Sequence, residues 1–257
     1  MKLFKELYDY REMIYMLVRR DLRGRYKGSI LGFFWTFLNP LLQIIVYGVV
    51  FSTIMRVDID QFYIYLFVGF VPWFMLTSAI TQGAVCIESQ SNLVEKIYFP
   101  RVVLPISTVM TCFVNMLLSE LVVFAVLILS GHGLTGYIIA LPPIMLIQLI
   151  FVLGIVLIVS ACTVYVRDLA HILEIVTMAW FYATPICYTP DMLPEQFKFL
   201  LYANPMSGII DCYRQVLYYK QWPEHSMTTL ALLIGLVTVC IGGIIFQHLQ
   251  KGFAEEL

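Results

Sequence analysis

The sequence predicts an all-α polytopic membrane protein with six transmembrane helices in a single transmembrane domain, residues 1–257. Of the 257 residues, 60% are hydrophobic and 13% are charged, whereas soluble domains have about 45–50% apolar and about 25% charged residues. The mean hydropathy is +0.84, and several charge-free stretches reach the roughly 20 residues that a helix needs to cross a bilayer. These observations argue against a soluble enzyme. The formal net charge of −1 argues against a dedicated nucleic-acid-binding protein, which carries a basic surface.

The six spans follow from the positions of charged residues, glycines and prolines. Gly28 to Met55 has no charged residue, and only Glu120 interrupts the apolar stretch that ends at Leu129. The fifth span is the shortest and contains Glu174. The six cysteines form no CxxC pair, so neither a zinc site nor a disulfide framework is indicated. The predicted spans are residues 31–55, 62–87, 103–129, 141–165, 172–188 and 227–247.

The distribution of basic residues predicts the orientation of the chain in the membrane. Eight of the 16 Lys and Arg residues precede Ser29, and basic residues accumulate on the cytoplasmic side. With the N-terminus inside and six spans, cytoplasmic segments hold 12 Lys and Arg residues and outer segments hold four. We therefore expect a multi-pass protein of the inner or plasma membrane with both termini in the cytoplasm.

Residues 1–27 are predicted to form an amphipathic helix on the cytoplasmic membrane surface. Leu7, Ile14 and Leu17 recur at helical spacing and basic residues flank them, as in helices that lie in the membrane interface. A topology anchor with no further role fits this pattern equally well. The basic run from Arg23 to Lys27 leads into the first span, where it meets anionic lipid headgroups or acidic groups of a partner. The sequence has no GxxxxGK[ST] motif, so no P-loop is predicted on this chain.

Residues 88–101 form a predicted cytoplasmic docking loop. The segment mixes charged residues with Leu93, Tyr98 and Phe99, just before Pro100. A short helix with such apolar side chains is suited to bind in a groove of another protein. A loop packed against the chain's own helices explains the same composition equally well.

Residues 191–222 are predicted to form a helical hairpin on the outer side. Two helical patterns, separated by Asn204 and Pro205, are each too short to span the membrane and too apolar to lie in water. A re-entrant hairpin that dips into the outer leaflet satisfies both conditions, and a cap at the interface is the alternative.

Partly polar faces are predicted on three spans, where polar side chains are costly against lipid and therefore face inward. They are Thr36, Asn39, Gln43 and Tyr47 in the first span, Thr108, Cys112, Asn115 and Ser119 in the third, and Thr177, Phe181, Thr184 and Tyr188 in the fifth. Interhelical hydrogen bonds of about 0.6–2 kcal/mol explain such a face without a substrate. The aromatic residues favour a substrate path instead, because rings stack on the apolar faces of sugars.

The sequence resembles a known family, the membrane subunits of ATP-binding-cassette exporters for polysaccharides and polyol-phosphate polymers. This family includes O-antigen, capsule and teichoic acid permeases. The resemblance covers essentially the whole chain and rests on the order and spacing of several short segments. They are Arg20-Asp21-Leu22 through Arg25-Tyr26-Lys27, Lys96 through Arg101, Arg167-Asp168, Thr184-Pro185, and Asn204-Pro205-Met206 through Tyr213-Arg214.

The resemblance implies a homodimer of six-span subunits that encloses a channel for a lipid-linked glycan, with two separate ATPase subunits docked below. This chain would then be no enzyme and hold no cofactor or metal, since ATP and Mg would bind to the partner. The implied substrate path is Thr36, Gln43, Tyr47, Phe51, Phe181, Thr184 and Tyr188. The implied ATPase docking residues are Asn92, Glu95, Lys96, Tyr98, Phe99 and Arg101. The implied gate at the interface is Arg23, Arg25, Tyr26 and Lys27.

Other functions remain open at the level of the sequence. A teichoic acid exporter or a small-molecule exporter shares the six-span plan, and a secondary transporter would run on an ion gradient. A membrane-embedded transferase would need a catalytic cluster, for which only Asp168, His171 and Glu174 are candidates. Arg214 either pairs with Asp211 or meets anionic groups of a polymer.

Overall fold

The computed structural model of the chain describes residues 8–24, 35–50, 59–96 and 99–256, and every regular element in them is helical. The α-helices are α1 Arg11–Gly24, α2 Trp35–Val49, α3 Phe62–Ala84, α4 Ser91–Lys96, α5 Val103–Leu129, α6 Leu141–Tyr165, α7 Leu169–Ala183, α8 Phe199–Ala203, α9 Pro205–Leu217, α10 His225–Leu249 and α11 Phe253–Glu256. Short 3₁₀ turns lie at Glu88–Gln90, Gly136–Ala140, Pro190–Met192, Glu195–Phe197 and Gln250–Gly252.

Four helices in the described part of the chain are long and apolar enough to cross a membrane. They are α3, α5, α6 with the turn before it, and α10 with the turn after it, and their mean hydropathies run from 1.7 to 2.9. The bounds of α5 and α6 coincide with those predicted for the third and fourth spans. Helix α2 lies within the predicted first span, whose remaining residues lie outside the described residues. The count of six spans stays a prediction.

Helix α7 differs from the predicted fifth span. It has 15 residues and ends at Ala183, so residues 184–188 continue as irregular chain. The cause is local, because Pro185 disfavours the helical conformation in the residue before it. Thr184 accordingly has an extended backbone, with φ −105° and ψ 133°.

Helix α3 forms the centre of the apolar core, with most of its side chains buried. Two polar side chains join it to neighbouring helices. The Gln148 side-chain amide on α6 donates from Nε2 to the Pro72 carbonyl at 2.8 Å, and Tyr213 on α9 donates from Oη to Gln148 Oε1 at 2.8 Å. Both side chains are completely buried, so each hydrogen bond satisfies groups that would otherwise be costly in an apolar surrounding.

Helices α6 and α10 pack closely because both present glycine at their contact. A Cβ on Gly154 would lie 2.5 Å from the Val239 backbone nitrogen, and a Cβ on Gly242 would overlap the Gly154 carbonyl oxygen. Small residues allow helix backbones to approach in this way where no hydrophobic force between helices exists.

Helix α1 is amphipathic, as the pattern in residues 1–27 predicts. Leu17 is buried in a second apolar cluster that includes Phe99, Phe246 and Phe253, whereas Arg19 and Arg23 are exposed. Residues 1–7 and 25–27 of the predicted interface helix lie outside the described residues.

Candidate functional site

The irregular segment after α7 carries two of the residues predicted to line a path, Thr184 and Tyr188. Thr184 is fully buried. Its hydroxyl donates to the Trp180 carbonyl at 2.8 Å and accepts from Asn204 Nδ2 at 2.8 Å. Tyr188 is partly exposed, and its hydroxyl donates to the Tyr182 carbonyl at 3.0 Å. Within this chain, Thr184 therefore has a structural role, whereas Tyr188 reaches the surface.

Asn204 connects this segment to the hairpin. Its Oδ1 accepts from the Met206 backbone N–H at 3.1 Å, which caps α9, and from Trp180 Nε1 at 2.9 Å. Its Nδ2 donates to Thr184. A single amide side chain thereby bonds the start of α9, the last turns of α7 and the first irregular residue.

Arg214 on α9 holds the same segment from the other side. Its side chain is 2% exposed. One guanidinium nitrogen donates to the Pro185 carbonyl and another donates to the Ile186 carbonyl at 2.7 Å. The guanidinium carbon lies 3.5 Å from the centre of the Tyr65 ring on α3, within the range of a cation–π contact. Gly69 leaves room for the group, since a Cβ there would lie 2.8 Å from Nη2.

Tyr65 completes this arrangement. Its hydroxyl donates to the Tyr188 carbonyl at 3.0 Å, so α3 contacts the segment directly as well as through Arg214. The carbonyls of residues 185, 186 and 188 would lack partners in an irregular chain at this depth. Non-helical backbone inside a membrane protein persists only where protein or a water-filled cavity satisfies it, and here side chains of α3 and α9 do so.

Aromatic rings surround the end of α7. Phe181 is half-buried, and its ring centre lies 5.6 Å from Phe70, 5.8 Å from Trp73 and 5.3 Å from Tyr182. The Tyr182 side chain is 68% exposed. We call Phe181, Tyr182 and Tyr188 the aromatic surface: the first two rings are in contact, and the Tyr188 hydroxyl reaches the Tyr182 carbonyl. Aromatic rings beside polar groups are the combination that sugars bind.

A polar cavity lies at the opposite end of α3. It has a volume of about 480 Å³ and its lining includes Arg20 of α1, Gln82 of α3, Gln90, and Thr108 and Thr111 of α5. Arg20 pairs with Asp21 at 3.0 Å. The Gln90 side-chain oxygen is buried and has no hydrogen-bond partner in the described part of the chain. The lining therefore presents guanidinium, amide and hydroxyl side chains to the cavity.

The docking-loop residues fall into two groups. Phe99 is buried in the cluster that contains Leu17 and Phe253. The Arg101 guanidinium donates to the Gln250 carbonyl and lies 5.8 Å from the Phe253 ring centre. These two side chains thus pack against the chain's own helices. Asn92, Glu95 and Lys96 lie on α4, Tyr98 lies outside the described residues, and the docking role of these four residues stays a prediction.

The predicted residues near the N-terminus are described in part. Thr36, Gln43 and Tyr47 lie on α2, where the Gln43 side chain is exposed. Arg23 is exposed in the last turn of α1. Phe51, Arg25, Tyr26 and Lys27 lie outside the described residues, so the predicted path and the predicted gate stay predictions.

Comparison with known proteins identifies the family. The model of the family described as ABC-2 type transporter matches residues 12–218. The chain belongs to the ABC-2 type transporter family. It is therefore a transport subunit and a multi-pass membrane protein, and its family implies association with an ATP-binding subunit.

Similarity to individual ABC-2 proteins extends over the whole chain. An O-antigen export system permease protein, RfbA, from Myxococcus xanthus is 34% identical, with 100% of this chain and 99% of the relative covered. The protein of the same name from Klebsiella pneumoniae is 31% identical, with 96% and 95% covered. The polysialic acid transport protein KpsM of Escherichia coli is 24% identical, with 91% and 92% covered.

Sequence reasoning missed the role of Arg214 in this ABC-2 chain. It offered either Asp211 or anionic groups of a polymer as the partner, but within the described residues Arg214 donates to backbone carbonyls, and Asp211 accepts from Gln215 Nε2 at 2.6 Å. A signal was present, because Arg214 stands in a helix beside Val216 and Leu217, and arginine is almost never fully buried without partners. The carbonyl partners themselves are far along the chain and no local pattern indicates them.

Proposed function

We propose that this chain is the permease subunit of an ATP-driven exporter that moves a lipid-linked polysaccharide, O-antigen-like or another cell-surface glycan, across the cytoplasmic membrane. The observation that carries the proposal is 34% identity to an O-antigen export permease over the full length of both chains. Two copies of the chain form the channel, and two separate ATPase subunits bind ATP and Mg on the cytoplasmic side. Both termini lie in the cytoplasm.

The relatives support a polymeric substrate. Those from Myxococcus xanthus and Klebsiella pneumoniae are named for O-antigen export, and that from Escherichia coli is named for polysialic acid transport. Both are glycans, so a surface that recognises sugar rings is the shared requirement. The aromatic surface of Phe181, Tyr182 and Tyr188 fits it, and Thr36, Gln43, Tyr47 and Phe51 of the first span are proposed to face the same path.

The polar cavity near α1 is proposed to receive the head of the lipid-linked glycan before transport. Its lining combines Arg20 with several hydroxyl and amide side chains, which are groups that form hydrogen bonds with sugar hydroxyls. Arg23, Arg25, Tyr26 and Lys27 follow directly in the sequence and would hold anionic groups at the membrane surface.

ATP hydrolysis is proposed to act on the channel through α4. This helix carries Asn92, Glu95 and Lys96, and Tyr98 follows it. Phe99 and Arg101 then fasten the segment to the C-terminal turn and to the start of α5. A displacement of α4 by the ATPase is proposed to reach these helix ends. This is a rigid-body mechanism of the kind that couples distant sites.

The test is depletion of the chain in its native cell. We expect the lipid-linked glycan to accumulate in the cytoplasmic leaflet and surface polysaccharide to disappear, since synthesis continues while export stops. A matched strain with an inactive Walker lysine in the ATPase that co-purifies with the chain should show the same defect.

Surface polysaccharide that persists at normal amounts after depletion would overturn the proposal. A loss of teichoic acid or of resistance to a small molecule, with the glycan unchanged, would assign one of the other exporter classes. Loss of a modified lipid product, with no glycan retained inside, would instead indicate a membrane-embedded transferase.

A further inference from the structure

Residues 218–224, which connect α9 to α10 and which we call the junction, lie where four of the long apolar helices meet. Helices α3, α6 and α10 begin at this end of the bundle, and α5 ends there. The Tyr218 hydroxyl donates to the Asp60 carbonyl just before α3. The Trp222 ring contacts the Tyr137 ring just before α6, with the ring centres 5.4 Å apart and the planes at 86°. The junction thus contacts the starts of two spans and leads into a third.

Hydrogen bonds to the turn between α5 and α6 hold the junction in place. His132 in this turn donates from Nε2 to the Tyr218 carbonyl at 3.0 Å, and its ring stacks on the Tyr218 ring with the centres 5.8 Å apart. Lys220 donates from Nζ to the His132 carbonyl at 2.6 Å. Lys220 also has a φ of 55°, in the left-handed region that commonly follows a helix end. The position of Trp222 is therefore defined by tertiary contacts.

Two aromatic side chains of the junction are exposed. Tyr219 is 48% exposed and Trp222 is 61% exposed. Each has a large apolar ring and one polar group, and such side chains are enriched where one end is in an apolar surrounding and the other end is wet. These two residues are therefore suited to the boundary between the hydrocarbon of a membrane and water.

The exposed surface changes from apolar to polar at the level of these rings. On the side of the spans, Leu129 at the end of α5 and Ile139 just before α6 are 87% and 73% exposed. In the junction itself, Gln221 and Glu224 are exposed. Apolar side chains face lipid hydrocarbon and charged ones avoid it, so the boundary of the hydrocarbon lies between these two groups of residues.

The lengths of the helices place the rings at the same boundary. Helices α6 and α10 have 25 residues each, which gives each a length of about 37 Å against a hydrocarbon thickness of about 30 Å. Tyr137 precedes α6 by four residues, and Trp222 precedes α10 by three residues. Both rings therefore lie just outside the hydrocarbon when these helices are centred on the bilayer. Trp and Tyr are enriched at this depth in membrane proteins.

We propose that Tyr137, Tyr219 and Trp222 anchor the junction in the lipid headgroup layer of the membrane. The ammonium of Lys220, which is partly exposed, uses one of its three donors on the His132 carbonyl, and the others are suited to phosphate oxygens of the headgroups. The anchor gives the C-terminal end of α9 a fixed depth in the membrane. It does not depend on the identity of the exported polymer or on the proposed function.

Depth-dependent quenching of tryptophan fluorescence tests the anchor. The full chain, with any subunits that co-purify, is reconstituted into phosphatidylcholine vesicles that carry bromine either near the headgroup or near the ends of the acyl chains. The emission of Trp222 is the difference between the wild type and Trp222→Phe, in which a ring still contacts Tyr137. We expect bromine near the headgroup to quench this difference about twofold more strongly than bromine near the chain ends, because the ring lies at the interface.

The variant Trp73→Phe is the matched control, because Trp73 is 3% exposed in the core and its emission should be quenched weakly by either lipid and by iodide in water. Trp222→Tyr must give the same difference as Trp222→Phe, which assigns the signal to the Trp222 side chain and not to a change in fold.

Three results would overturn the proposal. Stronger quenching of Trp222 by iodide than by either brominated lipid would place the junction in water. Stronger quenching by bromine near the chain ends would place it within the hydrocarbon. Protection of Trp222 from all of these quenchers would show that protein, such as a second copy of the chain, covers the surface.

Discussion

Arg214 shows how one side chain supports an irregular segment inside an apolar protein. Its planar guanidinium donates to two carbonyls and stacks on Tyr65 at 3.5 Å. Lysine has the same charge but neither the fork of donors nor the flat face. The identity of the side chain therefore matters here beyond its charge.

We predict that Arg214→Lys lowers the stability of the chain by about 2 kcal/mol, because a hydrogen bond to a charged group and the ring contact are weakened. Thermal unfolding of the purified protein should show a decrease of about 4–8 °C. The matched control is Arg167→Lys, since Arg167 is 66% exposed and lies 3.8 Å from Glu88. Surface pairs contribute little, so equal losses in both variants would contradict the role given to Arg214.

Asn204 and Thr184 should act as a coupled pair. Removing the Nδ2–Oγ1 hydrogen bond from either side leaves a buried group unpaired, so we expect each of Asn204→Ala and Thr184→Val to cost about 1–3 kcal/mol. The double variant should cost less than the sum, with a coupling of at least about 0.5 kcal/mol. Denaturation of all four proteins measures this difference, and strict additivity would show that the two side chains do not interact.

At the residue scale, the fifth-span path residues stay a prediction, and the hydrogen bonds of Thr184 are what the sequence could not reveal. Helical phase would place Thr177, Phe181, Thr184 and Tyr188 on one face, but α7 ends at Ala183, so Thr184 and Tyr188 lie in the irregular segment after it. The helical spacing of residues does not show which distant side chains pack against them. Asn204, which is twenty residues further along the chain, donates a hydrogen bond to the Thr184 hydroxyl. This is a tertiary contact, which local sequence patterns do not indicate.

At the scale of elements, the contact between α6 and α10 depends on the absence of side chains. A Cβ added to Gly242 would overlap the Gly154 carbonyl oxygen and would lie 3.2 Å from the Leu157 Cβ. A Cβ added to the adjacent Gly243 would have no such neighbour within 4 Å. These two glycines therefore form a natural pair for an experiment, because both are in the same helix turn.

We predict opposite effects for Gly242→Ala and Gly243→Ala. Alanine favours a helix over glycine by about 1 kcal/mol, so Gly243→Ala should leave the melting temperature unchanged or raise it. In Gly242→Ala the helices must separate, with a cost of about 1–3 kcal/mol as for other overpacked positions. Thermal melts of both variants decide the matter, and a stabilised Gly242→Ala protein would refute the close packing.

The ends of a helix could be predicted from the sequence where nearby residues determine them, and not where distant residues do. Helices α5 and α6 have the bounds predicted because glycines and prolines between residues 131 and 143 separate them. Helix α7 ends five residues before the predicted end of the fifth span. The prediction followed the apolar residues, which continue past Pro185, whereas the helical backbone ends at Ala183. The irregular segment exists because Arg214, Tyr65 and Asn204 satisfy it, and these lie far away in the sequence.

At the scale of the whole molecule, the proposed function requires the chain to transmit movement between a cytoplasmic segment and the proposed path. Coupling between two sites is reciprocal. If α4 and Tyr98 contact the ATPase, substrate in the path changes the rate of ATP hydrolysis in the partner. A substitution at the contact then changes both the export rate and this effect on ATP hydrolysis.

We predict that Tyr98→Ala lowers export about fivefold or more and removes the effect of substrate on ATP hydrolysis, while the amount of chain in the membrane is unchanged. Glycan export and ATPase activity in proteoliposomes that contain the complex give both readouts. The control is Tyr63→Ala, an exposed tyrosine in the first turn of α3. Normal export by the Tyr98 variant would remove the docking assignment for this segment.

The buried chain of Pro72, Gln148 and Tyr213 has a consequence for biosynthesis. Synthesis runs from the N-terminus, so Gln148 is made 65 residues before Tyr213, whose hydroxyl donates a hydrogen bond to it. Helix α3, which carries Pro72, is made earlier still. During that interval the Gln148 oxygen has no tyrosine donor, and it acquires one only when α9 arrives. The last third of the polypeptide thus completes the hydrogen bonding of helices already inserted, and a nascent protein truncated before α9 keeps an unsatisfied amide in its interior, a feature by which quality control is able to distinguish it.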